Sequence, residues 1–413
     1  EKIVHKKIEL SERPEVFLTT YNENVQILPS KGNYIEVSIK YLAESKEPEN
    51  LKILEQKMTE NLISQSRNKI NVSMKPYKSY NQFAMLAWNY IKMEFKDGSN
   101  IELTKYKVLE FTVHLPEDMD LTIDARYGKL YHKSDIKGNL TLKNYDADYY
   151  GQKVSGDVNI DARYSQIDFN TCENGDVKLY ESKLNASFKN NLKLDSRYSK
   201  IKTLGSGTLT YKGYEDELRS SVHGTVSMKT RYCEIEFMTA DEIDANMYEG
   251  SLTLVNLKNK LKLNSRYLKA NITNANEILM DSCYETDLIL SEVNTITSAK
   301  GKYNKYNIGE LKLAIDINGY EESIDINKVS NDFDKIYVDG KYIDLAMNID
   351  SQIAYKLYGK VKYPDFNFDK EDYEVKLHDK QSSTIEFEYY KHTSDTYREI
   401  KINGYEVDVN IND

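Results

Sequence analysis

The sequence predicts an all-β solenoid of roughly 13 to 14 stacked units, closed at its N-terminal end by a small α+β cap. Three observations carry that expectation. Fourteen tyrosines, from Tyr127 to Tyr358, recur at gaps of 16 to 19 residues, with a single gap of 22 between Tyr320 and Tyr342. A short fixed period means one supersecondary unit repeated many times. Within each unit apolar residues alternate with polar ones, as in Leu192-Lys-Leu-Asp-Ser-Arg-Tyr198, and a period of two marks a strand with one buried face. Gly and Asn pairs such as Gly138-Asn139, Gly156-Asp157 and Asn174-Gly175 mark turns between units, and no helical period is found within 121–360.

Residues 1–120 read as the cap, 121–362 as the tyrosine-repeat solenoid and 363–413 as a C-terminal β cap. In the first region, residues 33–41 alternate as a strand with Ile35, Val37 and Ile39 on one face. A helix is expected over about 48–66. Pro48 suits its first turn, Glu47 and Glu49 favour the positive end of its dipole, and Leu51, Leu54, Met58 and Leu62 form an apolar stripe. Residues 70–74 and 91–95 read as strands, the second followed by the turn Asp97-Gly98; 76–90, with Trp88, is ambiguous. Pro116 ends a strand before the first repeat. At the far end, 364–373 reads as an acidic loop, and 383–390 and 398–411 read as the last strands.

The repeats alternate in kind. A cation precedes Tyr at Arg126, Arg163, Arg197, Arg231 and Arg266, and at Lys302 and Lys341; an acid follows Tyr at Glu181, Glu215, Glu249, Glu285 and Glu321. With the tyrosines of neighbouring units aligned, each Arg would reach a Glu above and below, a structural ladder of ion pairs that favours register more than stability. Around Tyr198 the apolar parity breaks, which implies a bend there and a ring at a corner, partly exposed. Tyr127, Tyr164, Tyr198, Tyr232, Tyr267 and Tyr303 are therefore the candidate binding stripe, on which sugar rings or an extended chain could lie. The competing reading is that the rings stack as core.

Units of about 17 residues could each form one coil, or two units could form opposite faces of a coil of about 35. An antiparallel meander is a third layout, but it leaves little core.

A net charge of −10 argues against a nucleic-acid backbone as partner. Cys172, Cys233 and Cys283 have neither metal spacing nor an even count and read as small strand residues. The six histidines are dispersed, and His114 alternates with apolar neighbours as a packed strand residue. Acidic pairs such as Asp118 and Asp120, or Asp146 and Asp148, and the group Asp365, Asp369 and Asp372 do not stand out among 66 acids. Asn71, Asn139, Asn185 and Asn271 open glycosylation sequons. No catalytic motif, metal set or cofactor fingerprint is found, so neither an enzyme nor a cofactor is expected. No run approaches the ~18 apolar residues of a membrane span. The chain begins at Glu1, not Met, which fits removal of a targeting segment.

The strand–helix–strand start, the strand ending at Leu115-Pro116, and the serial units Ile160-Asp-Ala-Arg-Tyr-Ser-Gln-Ile167 and Leu194-Asp-Ser-Arg-Tyr-Ser-Lys-Ile201 resemble the β-strand-repeat, adhesin-like envelope proteins of Bacteroidetes-type bacteria, relatives of the GIN-domain head proteins. The resemblance covers roughly residues 100–360. It implies a right-handed parallel β-solenoid (β-helix), secretion, and a periplasmic or surface-exposed location in the cell envelope. It carries over no catalytic residue. This chain has only 18 Gly where those relatives are glycine-rich. Three function classes follow: a non-enzymatic adhesin-like scaffold binding a glycan or another envelope protein, a polysaccharide-active β-helix, and a periplasmic sensory module.

Overall fold

The structure is a computed structural model that describes residues 1–73, 77–85, 88–392 and 397–412, with the side chains of 83–85, 88 and 89 also left aside. Met74 and Lys75-Pro76 of the expected strand and of the ambiguous segment lie outside the described residues. The protein is all-β and divides into two compact units, Glu1–Leu204 and Gly205–Asp413. That division falls within the region 121–362 expected to be one solenoid.

In the first unit, strands pair in parallel with the strand one repeat later. Leu121 lies opposite Leu140, Leu140 opposite Val158, Val158 opposite Gly175, and Gly175 opposite Leu192, offsets of 19, 18, 17 and 17 residues. The strands after each tyrosine do the same: Tyr149 opposite Ile167, Ile167 opposite Leu184, and Leu184 opposite Ile201. Each repeat is thus two short strands joined at a corner, and each pairs with the next repeat, not with the one after it. Inward residues such as Ile123, Leu142 and Ile160 are fully buried, the arrangement that alternation demands. At the turn expected from Gly138-Asn139 and Asn174-Gly175, Asp120, Asn139, Asp157, Asn174 and Asn191 stack into a hydrogen-bonded row. Asn139 N donates to Asp120 Oδ1 at 2.8 Å, Asp157 N to Asn139 Oδ1 at 2.9 Å, Asn174 Nδ2 to Asp157 Oδ1 at 2.8 Å and Asn191 Nδ2 to Asn174 Oδ1 at 2.9 Å.

The stack reaches into residues 1–120. Strand Glu15–Tyr21 lies parallel to Asp120–Arg126, and Val25 sits opposite Leu130, so 15–29 forms a repeat of its own that the tyrosine spacing does not reveal. Lys69–Ser73 adds in parallel to Glu15–Thr19 and pairs antiparallel with Ile63–Ser66. Strand Tyr34–Glu44, with Ile35, Val37 and Ile39 buried, pairs antiparallel with Lys2–Glu9 and Lys105–Leu115. Antiparallel strands thus cover an edge that would otherwise template further pairing. The helix spans Pro48–Asn61, shorter than expected, because Ile63 is recruited to pair with Val72. Its unpaired last carbonyls are met by Lys6 Nζ, which donates to Thr59 O at 3.1 Å and Glu60 O at 3.2 Å. Trp88–Phe95 forms a hairpin with Asn100–Leu103 through the Asp97-Gly98 turn, Gly98 having φ 86°.

In the second unit parallel pairing continues at an offset of 18 from Lys269 to Asp287, Lys305 and Ser323, then 21 to Asp344. The final order is not sequential. Strand Glu399–Asn412 is inserted, parallel on both sides, between Lys335–Ile349 and Tyr355–Asn367. That pairing draws Pro364–Asn367 into a strand, correcting the loop expected at 364–373. Thr384–Lys391 then covers Tyr355–Lys362 antiparallel, followed by Tyr373–Gln381. Among the described residues no helix is long and apolar enough to cross a membrane.

Candidate functional site: the tyrosine corner

Every corner turns on one residue in the left-handed region, and that residue is not glycine. In the Arg-Tyr repeats it is the tyrosine: Tyr127 (φ 55°), Tyr164 (56°) and Tyr198 (56°) in the first unit, Tyr232 (58°), Tyr267 (58°) and Tyr303 (61°) in the second. In the Tyr-acid repeats it is the acid instead: Asp146 (51°) and Glu181 (46°), then Glu215, Glu249, Glu285 and Glu321. The left-handed conformation costs a side-chain-bearing residue roughly 1–2 kcal/mol, so the surrounding hydrogen bonds must hold it.

They come from the residue behind the corner, which points inward. Ser165 Oγ donates to Arg163 O (2.8 Å) and accepts from Ala147 N (3.1 Å). Ser182 Oγ donates to Tyr180 O (2.8 Å) and accepts from Ser165 N (3.1 Å). Ser199 Oγ repeats the pattern with Arg197 O and Ser182 N. In the second unit this position varies, with Cys233 behind Tyr232 and Gly250 behind Glu249, and at four corners it holds larger polar groups: Asp216 accepts from Tyr214 N at 3.1 Å, Thr286 N donates to Asn304 Oδ1 at 2.9 Å, and Asn304 Nδ2 reaches Glu322 Oε1 at 3.3 Å. Glu322 is 1% exposed, and burial pushes its carboxyl up to about 7. This inner row was missed in the sequence. Its signal is the small polar residue just after Tyr in Arg-Tyr-Ser and two after it in Tyr-Glu-Ser.

The corner residues stack on each other: Arg126 is opposite Tyr145 and Gly128 opposite Ala147, which sets Tyr127 against Asp146. The tyrosines therefore zigzag between two columns and meet edge to face. In the first unit the rings of Tyr21, Tyr127, Tyr145, Tyr164, Tyr180 and Tyr198 follow at 5.5–5.8 Å between centroids. In the second, the series from Tyr214 through Tyr232, Tyr267, Tyr303 and Tyr342 ends at Tyr405 and then Tyr363, at 5.3–5.9 Å. Tyr358, counted fourteenth in the sequence, is not in the series; its hydroxyl bonds Glu399 Oε2 at 3.1 Å. The inserted last strand supplies Tyr405 in its place. All six stripe residues, Tyr127, Tyr164, Tyr198, Tyr232, Tyr267 and Tyr303, hold 37–43% of their surface exposed.

The zigzag also undoes the expected charge ladder. Cations share the column before the corner with tyrosines, and acids share the corner column, so the aromatic rings lie between them. Among the described residues no ion pair joins Arg126, Arg163, Arg197, Arg231 or Arg266 to Glu181, Glu215, Glu249 or Glu285. Arg163 approaches Asp161 of its own strand at 4.0 Å instead, and the Arg231 guanidinium lies 6.0 Å from the Tyr248 ring centre. Glu181 and Glu285 turn to their own tyrosines, and hydrogen bonding to those carboxylates raises the Tyr180 and Tyr284 phenols. Two shallow clefts border the cation column. One, of about 490 Å³, is lined by Tyr145, Tyr164, Tyr180, Arg163, Arg197 and Asp161. The other, of about 570 Å³, lies over the stacked glycines Gly301, Gly319, Gly340 and Gly404 beside Tyr320 and Tyr405.

Of the other chemical groups noted in the sequence, Asp146 is a corner residue and Cys233 lies behind the Tyr232 corner, its Sγ donating to Arg231 O at 3.2 Å. Cys172, Cys233 and Cys283 are buried free thiols. Asp118 and Asp120 bind Arg13, at 3.4 and 2.9 Å, and Asp372 binds Lys391 at 2.9 Å. His114 sits half-buried in its strand. Among the described residues no group of three or more His, Cys, Asp or Glu side chains could hold a metal ion.

No protein-family model matches the chain, and no curated protein matches it in sequence. One solved structure aligns over 100% of this chain and 98% of its own, at 9% identity and a TM-score of 0.15: a "putative cell adhesion protein" from Clostridium sporogenes ATCC 15579.

Proposed function

We propose that the protein is a binding scaffold of adhesin-like type, and that the solvent-facing tyrosine zigzag is its recognition surface. The observation that carries this reading is the exposure of the stripe. Apolar rings that could have been packed inward are held outward by a left-handed backbone repeated at every corner. Tyrosines presented on a rigid backbone suit recognition, since each supplies contact area at little entropic cost. The parallel stacking is read as a right-handed β-solenoid, with location in the cell envelope and no catalytic role.

The first unit's cleft supports a glycan as one ligand. Tyr145, Tyr164 and Tyr180 offer ring faces, while Arg163, Arg197 and Asp161 offer hydrogen bonds at their edges. Binding of the full chain to a panel of soluble polysaccharides tests this. Wild-type protein is expected to bind at least one member, and Tyr164→Ala with Tyr180→Ala to weaken that binding about tenfold or more at an unchanged circular dichroism spectrum. Equal binding by the variant, or none by the wild type, would remove the glycan reading.

A further inference from the structure

We propose that the tyrosine face of the second unit docks against the same face of a second copy of this chain, the two zigzags running side by side in the same direction. This inference rests on reading the zigzag as a recognition surface and names its partner.

In register, the column before the corner reads Tyr284, Lys302, Tyr320, Lys341, Tyr405, Lys362. Lys300 adds a further cation two residues earlier on its strand, and Asp339 is the exception on that flank. On the other side of the rings stand Glu285, Glu321 and Glu406 at the corners. Beyond them Asp344, Asp408 and Asp365 lie directly opposite one another on three adjacent strands. Lys305 is the exception there, next to Asp287. Burial and then Asp365, Asp344 and Glu406 raise the Asp408 carboxyl. Like charges stacked at ~4.8 Å oppose each other, so this row is a cost to the isolated chain. Among the described residues Lys300, Lys302 and Lys341 form no ion pair, nor do the six acids.

A face with a cation flank, an aromatic centre and an acid flank suits a partner with the reverse order. A two-fold axis parallel to the zigzag turns a second copy over so that its acid flank meets the first copy's cation flank, and tyrosines meet tyrosines. An axis across the zigzag would set like flanks together. A polyanion fits less well, since it would satisfy the lysines while lying a few ångströms from the carboxylates. Tyrosine enrichment at the centre also matches what protein interfaces bury.

Sedimentation of the full chain tests the proposal. Wild-type protein is expected to dimerise at low salt and to dissociate near ~1 M salt, where screening reaches ~3 Å. Lys302→Glu with Lys341→Glu and Lys362→Glu makes both flanks acidic. Glu285→Lys with Glu321→Lys and Glu406→Lys sets three cations against the three aspartates of the acid flank and removes its net charge. Each variant alone should self-associate at least about tenfold more weakly, and an equimolar mixture of the two should recover a dimer. A wild type that stays monomeric at low salt, or a mixture that does not associate while both variants keep the wild-type circular dichroism, would overturn it. So would a monomeric wild type that binds polygalacturonate and loses it in the lysine variant, which would give the cation flank to an acidic glycan. Neither triple variant alters the first unit's cleft, so glycan binding there fails or survives independently.

Discussion

In the later repeats of the unit Glu1–Leu204, after Gly128 and Ala147, the row behind the corners is serine, Ser165, Ser182 and Ser199, whereas in the later repeats of Gly205–Asp413, after Cys233, Gly250 and Leu268, it enlarges to Thr286, Asn304 and Glu322. The neighbouring row, two residues before the corner, changes in the opposite sense. In the first unit it holds the buried side chains of Ala125, Ala162 and Leu179; in the second it holds Thr230, Met247, Ser265 and Cys283 and then, in the last repeats, empties to Gly301, Gly319, Gly340 and Gly404. A methyl group on Gly301 or Gly319 would meet the Glu322 side chain, so the two rows share one volume. Outside, the difference is in charge. Two residues before Arg163 stands Asp161, and before Arg197 stands Asp195, so cations and acids mix on one flank. In the last repeats of the second unit they are sorted to opposite flanks, with Asp339 and Lys305 the exceptions. The same backbone corner therefore serves two surfaces, one mixed and one polarised, and the inner rows can vary as long as their volumes compensate.

The contrast is broken most sharply at Gly340. A Cβ there would meet the carbonyl oxygen of Gly319 and Ile343 Cδ1, so Gly340→Ala should destabilise by about 3 kcal/mol. At the matching place in the first unit, Ala162→Gly should cost only about 1 kcal/mol. Chemical denaturation of both variants reads the difference, and equal losses would mean the two rows are not packed differently.

Glu322 sharpens the comparison through pH. Its folded carboxyl, near 7, lies above the ordinary value of 4.5. The folded state thus holds the proton more tightly, and stability is full below about 4.5 and falls as pH rises through 7. The loss amounts to at most about 3 kcal/mol. Glu322→Gln should flatten that fall between pH 5 and 8 and leave the protein more stable at pH 8. A wild-type stability that rises across this window would contradict the buried acid.

The smallest effect expected is at the corner itself. Glu181→Gly removes the cost of a left-handed side chain and no ring, and should stabilise by up to about 1 kcal/mol. Tyr164→Gly removes the same cost but also two edge-to-face contacts of about 0.5–1.5 kcal/mol each, so it should destabilise. If both variants shift stability alike, the rings contribute nothing to the corner.

Much of this was legible in the chain. The spacing of Tyr164, Tyr180 and Tyr198 located the repeats, and the parity break at Tyr198 located the bend. Pro116, the Asp97-Gly98 turn and the alternation at Ile35, Val37 and Ile39 marked local elements correctly, because each is dictated by backbone or burial within a few residues. What failed was long-range. Nothing local in Glu15–Tyr21 shows that it stacks on Asp120–Arg126, nor that Glu399–Asn412 inserts ahead of Tyr355–Asn367, which is why Tyr405 and Tyr363 were missed and Tyr358 was counted. The charge ladder failed because aligned tyrosines were assumed. A shift of one residue between Arg-Tyr and Tyr-Glu repeats moves the tyrosines to alternate columns, and register, not composition, decides which charges meet.

Recognition by the zigzag requires its rings to face solvent, and nitration of the native full chain, mapped by mass spectrometry, reads that exposure. Tyr127, Tyr164, Tyr198, Tyr232, Tyr267, Tyr303 and Tyr342, each at 37–43% exposure, should react in the folded state, while Tyr149, Tyr211 and Tyr306, at 1% or less, should react only on unfolding. Protection of the corner tyrosines to the level of Tyr149 in the monomer would mean that they are core, and would leave the protein without the surface proposed for recognition.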